Sequence, residues 1–314
     1  MSSGWKVKGS EITPALPEDN PFSALVNLGA SPNALDSNGE TPLILACRDH
    51  NICSVAFLLS VGADPDLSNS QGLSPLISIL QVESPFQLTR ERIVTLLLEH
   101  HSDPNIFDPE GRSALCVAFE SPRVSIISSL LRHGADVGGK MKNGLTSICE
   151  VLRLPRGVSR ERITMELLKH GADPNEAYLY EARDYHSRLR IPSIGPQART
   201  EARRPYKMPG TTPLHAACWT RDPFLVRQLL GYGADPVARD AAGNTPLHLI
   251  FEDLDIEWGD EPWIEKTIKL LLWNRTDLAT VRNQAGKTPI DLVRDDDVYG
   301  RWRWLRETTP ELYE

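Results

Sequence analysis

The spacing of seven glycines constrains this chain more than any other feature. Gly39, Gly72, Gly111, Gly144, Gly210, Gly243 and Gly286 each stand two positions before a Ser or Thr, and their separations are 33, 39, 33, 66, 33 and 43 residues. A recurring period of 33 marks a chain of small structural units. Each unit is too small to bury an apolar face alone, so neighbours must stack to make a core. The longer gaps then hold insertions.

Each glycine is followed by a helix-start signal. The triplets are Thr41-Pro42-Leu43, Ser74-Pro75-Leu76, Thr212-Pro213-Leu214, Thr245-Pro246-Leu247 and Thr288-Pro289-Ile290. Ser or Thr caps a helix by accepting from a free backbone N–H, and proline suits the first helical position because no N–H is needed there. Ser113-Ala114-Leu115 and Thr146-Ser147-Ile148 keep the cap and lose the proline. A stop signal follows: Gly62-Ala63-Asp64-Pro65, Gly134-Ala135-Asp136, Gly171-Ala172-Asp173-Pro174 and Gly233-Ala234-Asp235-Pro236, with His101-Ser102-Asp103-Pro104 as a weaker copy. Glycine ends the preceding helix in a left-handed residue and proline forbids its continuation. Each unit therefore reads as turn, helix, helix, stop.

This pattern resembles the ankyrin repeat across roughly residues 20–300, with Thr-Pro-Leu-His complete at Thr212–His215 and Thr245–His248. The resemblance implies an all-α solenoid of stacked helix pairs joined by hairpin-like turns. Six full repeats are expected, at 36–68, 69–107, 108–140, 141–177, 207–239 and 240–282. A half-repeat cap at 20–35 and a C-terminal cap at 283–305 flank them, with tails at 1–19 and 306–314. Thr288 is expected to start a last inner helix, with Trp302, Trp304 and Leu305 closing the array. The family also implies that His215 and His248 are structural, each bridging to the Thr hydroxyl and the adjacent turn.

Composition limits function. Of the 314 residues, 40% are hydrophobic and 24% charged, with a net charge of −8. That mix suits a folded chain and argues against a general nucleic-acid binder, which needs a basic surface. No run approaches the roughly 20 apolar residues that span a bilayer. Two lysines near the start lack the apolar stretch of a signal peptide, and the five cysteines form no C-x-x-C pair. Reduced, packed cysteines in a cytoplasmic or nuclear protein are expected.

Two segments depart from the repeat. Residues 178–209 carry seven basic residues against three acids, a net +4, together with Tyr178, Tyr180, Tyr185 and Tyr206. Arg and Tyr are enriched at binding hot spots, which makes Arg188, Arg190, Tyr185 and Tyr206 candidates for contact with an acidic partner surface. The insertion could equally pack on the array or occlude its groove. Residues 252–265 hold seven acids and no base. They lie at the far end of a repeat from the turn tips, so the two segments are not expected to pair within the chain.

Other candidates sit on the repeat itself. Trp219 stands seven positions after its capping threonine, where other repeats have Arg48, Gln81, Glu120, Arg153 and Glu252. A tryptophan at a position that is otherwise polar leaves a ring in water unless something covers it. Trp219, Arg48, Asp49, Glu120, Glu252 and Arg112 are the expected groove contacts. Enzyme signatures are weak. His100, His133 and His170 precede stop positions, where the helix dipole favours them. Gly138-Gly139-Lys140 lacks the strand and hydroxyl residue of a phosphate loop. No zinc spacing or nucleophile elbow occurs, so no catalytic, metal or cofactor residue is expected. About 19 residues precede the array and about 10 follow it, so no appended catalytic domain is expected. The expected function is a monomeric scaffold or adaptor that binds another protein in a concave groove, without membrane or direct nucleic-acid contact. The alternative is an enzyme or small-molecule binder with a pocket between 178–209 and the inner helices.

Overall fold

The structure is a computed structural model that describes residues 21–82, 87–138, 147–152, 158–177, 210–220, 222–251, 261–273 and 276–292. The chain divides into two compact units, Met1–Asp136 and Val137–Glu314. The first holds α1 (Pro21–Asn27), α2 (Pro42–Arg48), α3 (Ile52–Ser60), α4 (Pro75–Gln81), α5 (Gln87–Glu99), α6 (Ala114–Ala118) and α7 (Val124–Arg132). The second holds α8 (Ser147–Leu152), α9 (Val158–Lys169), α10 (Pro213–Trp219), α11 (Pro223–Gly231), α12 (Pro246–Phe251) and α13 (Glu261–Leu272), then 3-10 turns at Thr276–Thr280 and Ile290–Leu292. Among the described residues the extended pairing is one antiparallel bridge, Phe107 with Ser113.

Each unit is two layers of helices. In the first, α2, α4 and α6 pack in one row and α1, α3, α5 and α7 in the other, with each helix pair closed by α2 on α3, α4 on α5 and α6 on α7. In the second, α8, α10 and α12 form one row and α9, α11 and α13 the other. In the first unit the caps work as the triplets predict. The hydroxyls of Thr41, Ser74 and Ser113 accept from the N–H groups of Ile44, Ile77 and Cys116 at 3.1, 3.3 and 3.3 Å. The apolar residues that follow fill the core: Leu43, Ile44, Leu76, Ile77, Leu115, Leu214 and Leu247 are buried.

The stops also form. Gly62 takes φ +89°, and Gly62 and Ala63 donate back to the carbonyls of Leu59 and Leu58, so the last carbonyls of α3 are satisfied. His101 performs the same turn at φ +67°, which explains how the weaker copy functions without glycine. Among the described residues four cysteines are free, with Cys47, Cys116 and Cys218 buried and Cys53 half-buried. Burial pushes the Cys47 and Cys218 thiols far up, beyond ordinary reactivity.

The expected last inner helix at Thr288 is described only as far as Leu292. Among the described residues that segment is a three-residue 3-10 turn, Ile290–Leu292. Asp291 occupies the register of His215 and His248, and its carboxylate accepts from the Thr288 N–H at 2.8 Å. The position of Trp302, Trp304 and Leu305 lies outside the described residues.

Candidate functional site

The surface that the repeat offers starts from a five-residue turn. Its first residue is Asp or Asn: Asp36, Asn69, Asp108, Asp240 and Asn283. In each, a backbone N–H donates across the turn, as from Asp36 to Glu40 at 3.0 Å and from Asp240 to Asn244 at 3.0 Å. The side-chain oxygen accepts two further backbone N–H groups in most copies, as Asp240 does from Ala242 and Asn244, both at 2.8 Å. The turn glycine then has positive φ, between +74° and +81° in the described copies. At Gly39 a side chain would also collide with the next turn, since an added Cβ would lie 2.4 Å from Ser70 Oγ. That closeness lets Ser70 donate to the Gly39 carbonyl at 2.9 Å and to the Asn38 carbonyl at 3.0 Å, so successive turns are bonded tip to tip.

A second ladder runs beneath the stops. The Asn33 amide donates to the Gly62 carbonyl at 3.4 Å and its carbonyl accepts from the Asp64 N–H at 2.8 Å. Asn105 repeats this with Gly134 and Asp136 at 3.0 and 2.7 Å, and Asn175 with Gly233 and Asp235 at 3.0 and 2.7 Å. Asn33 and Asn105 reach 29 and 31 residues ahead, whereas Asn175 reaches 58 and 60. The 29-residue surplus equals the length of 178–206, the part of the insertion that precedes the next repeat at 207, so the stack of the second unit closes across it without a change of register. A buried ion pair supports the same junction. Arg160, on α9, pairs with Asp222, whose other oxygen caps α11 by accepting from Phe224 and Leu225 N–H at 3.1 and 3.2 Å.

His215 and His248 fasten the second unit in a third way. The Thr212 N–H donates to His215 Nδ1 at 3.2 Å, which leaves the proton on Nε2, and that N–H donates to the Asn244 carbonyl of the next turn at 3.0 Å. His248 repeats the arrangement with Thr245 at 3.1 Å and Lys287 at 3.1 Å. Both imidazoles are buried, and burial lowers the pKa of each.

Against this constant frame, the residues at the ends of the first helices differ. Arg48 ends α2, is exposed and donates to Glu40 at 2.6 Å, beside an exposed Asp49. Arg112 is half-buried and pairs with Asp108 at 2.7 Å, with Glu110 at 3.8 Å and with the exposed Glu120. The polarity of the Glu40–Arg48 pair is thus reversed in Arg112–Glu120. Trp219 ends α10 and is half-buried, so it is not a ring standing free in water. Arg48, Asp49, Arg112 and Glu120 share the first unit, and Trp219 lies in the second. Glu252, Tyr185, Arg188, Arg190 and Tyr206 fall outside the described residues, as does the proposed pocket against 178–209.

The sequence reading missed the Asx residues that build the turns, the Asn33, Asn105 and Asn175 ladder, and the Arg160–Asp222 pair. The signal for the ladder was present: Asn33, Asn105 and Asn175 each lie four positions after a stop. His133 and His170 do sit at helix ends, each Nδ1 lying 2.8 Å from the carbonyl four residues back. Among the described residues no group of three or more His, Cys, Asp or Glu side chains could hold a metal ion.

The sequence model described as "Ankyrin repeat" matches residues 38–70 and 210–241, one stretch in each unit. The chain is an ankyrin-repeat protein. It is 32% identical over 150 residues to the B-cell lymphoma 3 protein homolog of Mus musculus, a match covering 48% of this chain and 32% of that protein. It is 56% identical over 41 residues to the NF-kappa-B inhibitor alpha of Homo sapiens, 13% of each chain. The chain thus spans a third or less of these relatives. The crystal structure of the ankyrin repeat domain of Bcl-3, described as a unique member of the IkappaB protein family, aligns with a TM-score of 0.56 at 21% identity. That alignment covers 85% of this ankyrin-repeat chain and all of the other, which is a likeness of fold.

Proposed function

We propose that this ankyrin-repeat protein is an adaptor or scaffold that holds another protein on the face formed by its turn tips and first helices. One observation carries this reading: the turns and glycine stops recur from copy to copy, while the side chains that end the first helices do not. Arg48, Gln81, Glu120 and Trp219 occupy equivalent positions with a cation, an amide, an anion and an aromatic ring. A frame that is constant and a surface that varies is what recognition of a specific macromolecule requires. The relatives agree in kind, since one of them is by name an inhibitor of NF-kappa-B. A cytoplasmic or nuclear monomer fits the free cysteines among the described residues. Among the described residues no helix is long and apolar enough to cross a membrane.

Trp219 is the proposed anchor, with Arg48, Asp49, Arg112 and Glu120 as the charged contacts of the first unit. The insertion at 178–209 is proposed as a second contact that draws an acidic partner surface by charge steering. Affinity capture followed by mass spectrometry tests this, using the full chain, a chain lacking 178–209, and Trp219→Ala. The expected result is a discrete set of proteins whose recovery falls with Trp219→Ala while circular dichroism is unchanged. Identical recovery from all three chains overturns the proposed contacts.

A further inference from the structure

The histidine clasps are unevenly distributed along the chain. The third residue after the Ser or Thr of each helix start is Ile44, Ile77 and Cys116 in the first unit, and Cys149, His215, His248 and Asp291 in the second, so both histidines lie in the second. Ile44 and Ile77 are fully buried and carry no proton to gain. His215 and His248 are equally buried, yet each is held by a bond that depends on its neutral form. Nδ1 must accept the Thr N–H, and a protonated ring has no lone pair there. A Nδ1–H could still reach the Thr hydroxyl oxygen, 2.9 Å away in both copies. The Thr212 and Thr245 N–H groups would nevertheless lose their acceptor, and each ring would become a buried cation.

The surrounding charges do not rescue that cation. Asp240 and Asp235 favour protonation of His215, and His248 opposes it. Asp240 and Asp291 favour protonation of His248, and Arg239 opposes it. Asp240 is already committed to its own turn, accepting from Ala242, Asn244 and the Asn244 amide. Burial outweighs these charges at both rings. The two clasps are also in series. His215 ties the turn at 240–244, and His248 ties the turn at 283–287.

We propose that the second unit is an acid-sensitive element, in which protonation of His215 and His248 unfastens two successive turns while the first unit keeps its stack. The sign follows from the folded rings holding protons more weakly than the unfolded ones. The clasp contribution is complete above the ordinary histidine value near 6.5, and it is lost as pH falls through the lowered folded values. The acid response follows from the clasp geometry and holds whatever the unit binds.

Hydrogen exchange with mass spectrometry on the full chain, corrected for intrinsic exchange, tests this at about pH 7.5 and about pH 5. Peptides covering 210–219 and 244–251 should lose about tenfold more protection on acidification than peptides covering 42–60. In a chain carrying both His215→Gln and His248→Gln, that difference should fall below about threefold. Equal loss in both units, or an undiminished difference in the double variant, overturns the proposal. Should the double variant not fold, nitrogen NMR of the wild-type imidazoles decides. Both rings should be Nε2-protonated at neutral pH and should titrate together with the loss of protection in the second unit. Titration that leaves that protection unchanged overturns it.

Discussion

Replacing Asp222 by alanine removes two interactions at once. The carboxylate caps α11 through Phe224 and Leu225, and it pairs with Arg160, whose side chain is 2% exposed. Loss of an N-cap costs about 1 kcal/mol. Taking the anion from a buried guanidinium costs about 3–5 kcal/mol, because the remaining charge is no longer offset in a medium that solvates it poorly. Asp222→Ala should therefore destabilise the second unit by about 4 kcal/mol or more. Asp222→Asn keeps the cap and removes the charge, so the difference between the two variants isolates the cap. A third chain, Arg160→Met with Asp222→Asn, removes the ion pair but keeps the cap, and should recover most of the loss, as a well-packed apolar replacement often does. Urea unfolding followed by circular dichroism, with hydrogen exchange to locate the change, measures all three. A cost below about 1 kcal/mol for Asp222→Ala would show that the pair adds nothing and would refute the reasoning.

Further expectations can be checked in the same assay. Gly39→Ala should cost about 1–3 kcal/mol, because φ there is +74° and the new Cβ meets Ser70; Gly62→Ala, with nothing near its Cβ, should cost less. Asn175→Ala and Asn105→Ala should each cost about 1–2 kcal/mol and should match within error, since each removes the same two bonds. Arg90 is buried and donates to the carbonyls of Ile79 and Leu80 at the end of α4. Arg90→Ala should cost about 2–4 kcal/mol by leaving those carbonyls without a donor and opening a cavity.

Much of the fold is legible in the sequence because the repeat multiplies local signals. Thr41-Pro42-Leu43 is a weak helix start alone, but a start, an apolar pair and a glycine stop recurring in phase leave few alternatives. The bonds between repeats are harder to see. Asn175 and Asp235 lie 60 residues apart, and the 178–209 insertion hides their equivalence to Asn33 and Asp64. Arg160 and Asp222 are charged residues that composition assigns to the surface, and only the stacking of α9 on α11 buries them together. Asp291 shows the opposite case. Its Thr-Pro start is intact, and its carboxylate accepts from the Thr288 N–H as the histidines do from theirs, yet the described segment is a 3-10 turn that ends at Leu292. The candidate site was legible as a register, through Arg48, Glu120 and Trp219, and not as chemistry, since the ion pairs of Arg48 and Arg112 form only when the turn folds back on its helix.

Where a partner sits on the repeats is the most direct test of the proposed binding surface. Hydrogen exchange of the full chain with and without a captured partner maps that footprint by peptide. Protection is expected at the turn tips and first-helix ends, in peptides covering 38–49, 108–121 and 210–220, with the second helices at 52–60 and 124–132 unaffected. Protection confined to those second helices, or absent from all of these segments, would contradict the proposal that this ankyrin-repeat protein binds through its turn tips and first-helix ends.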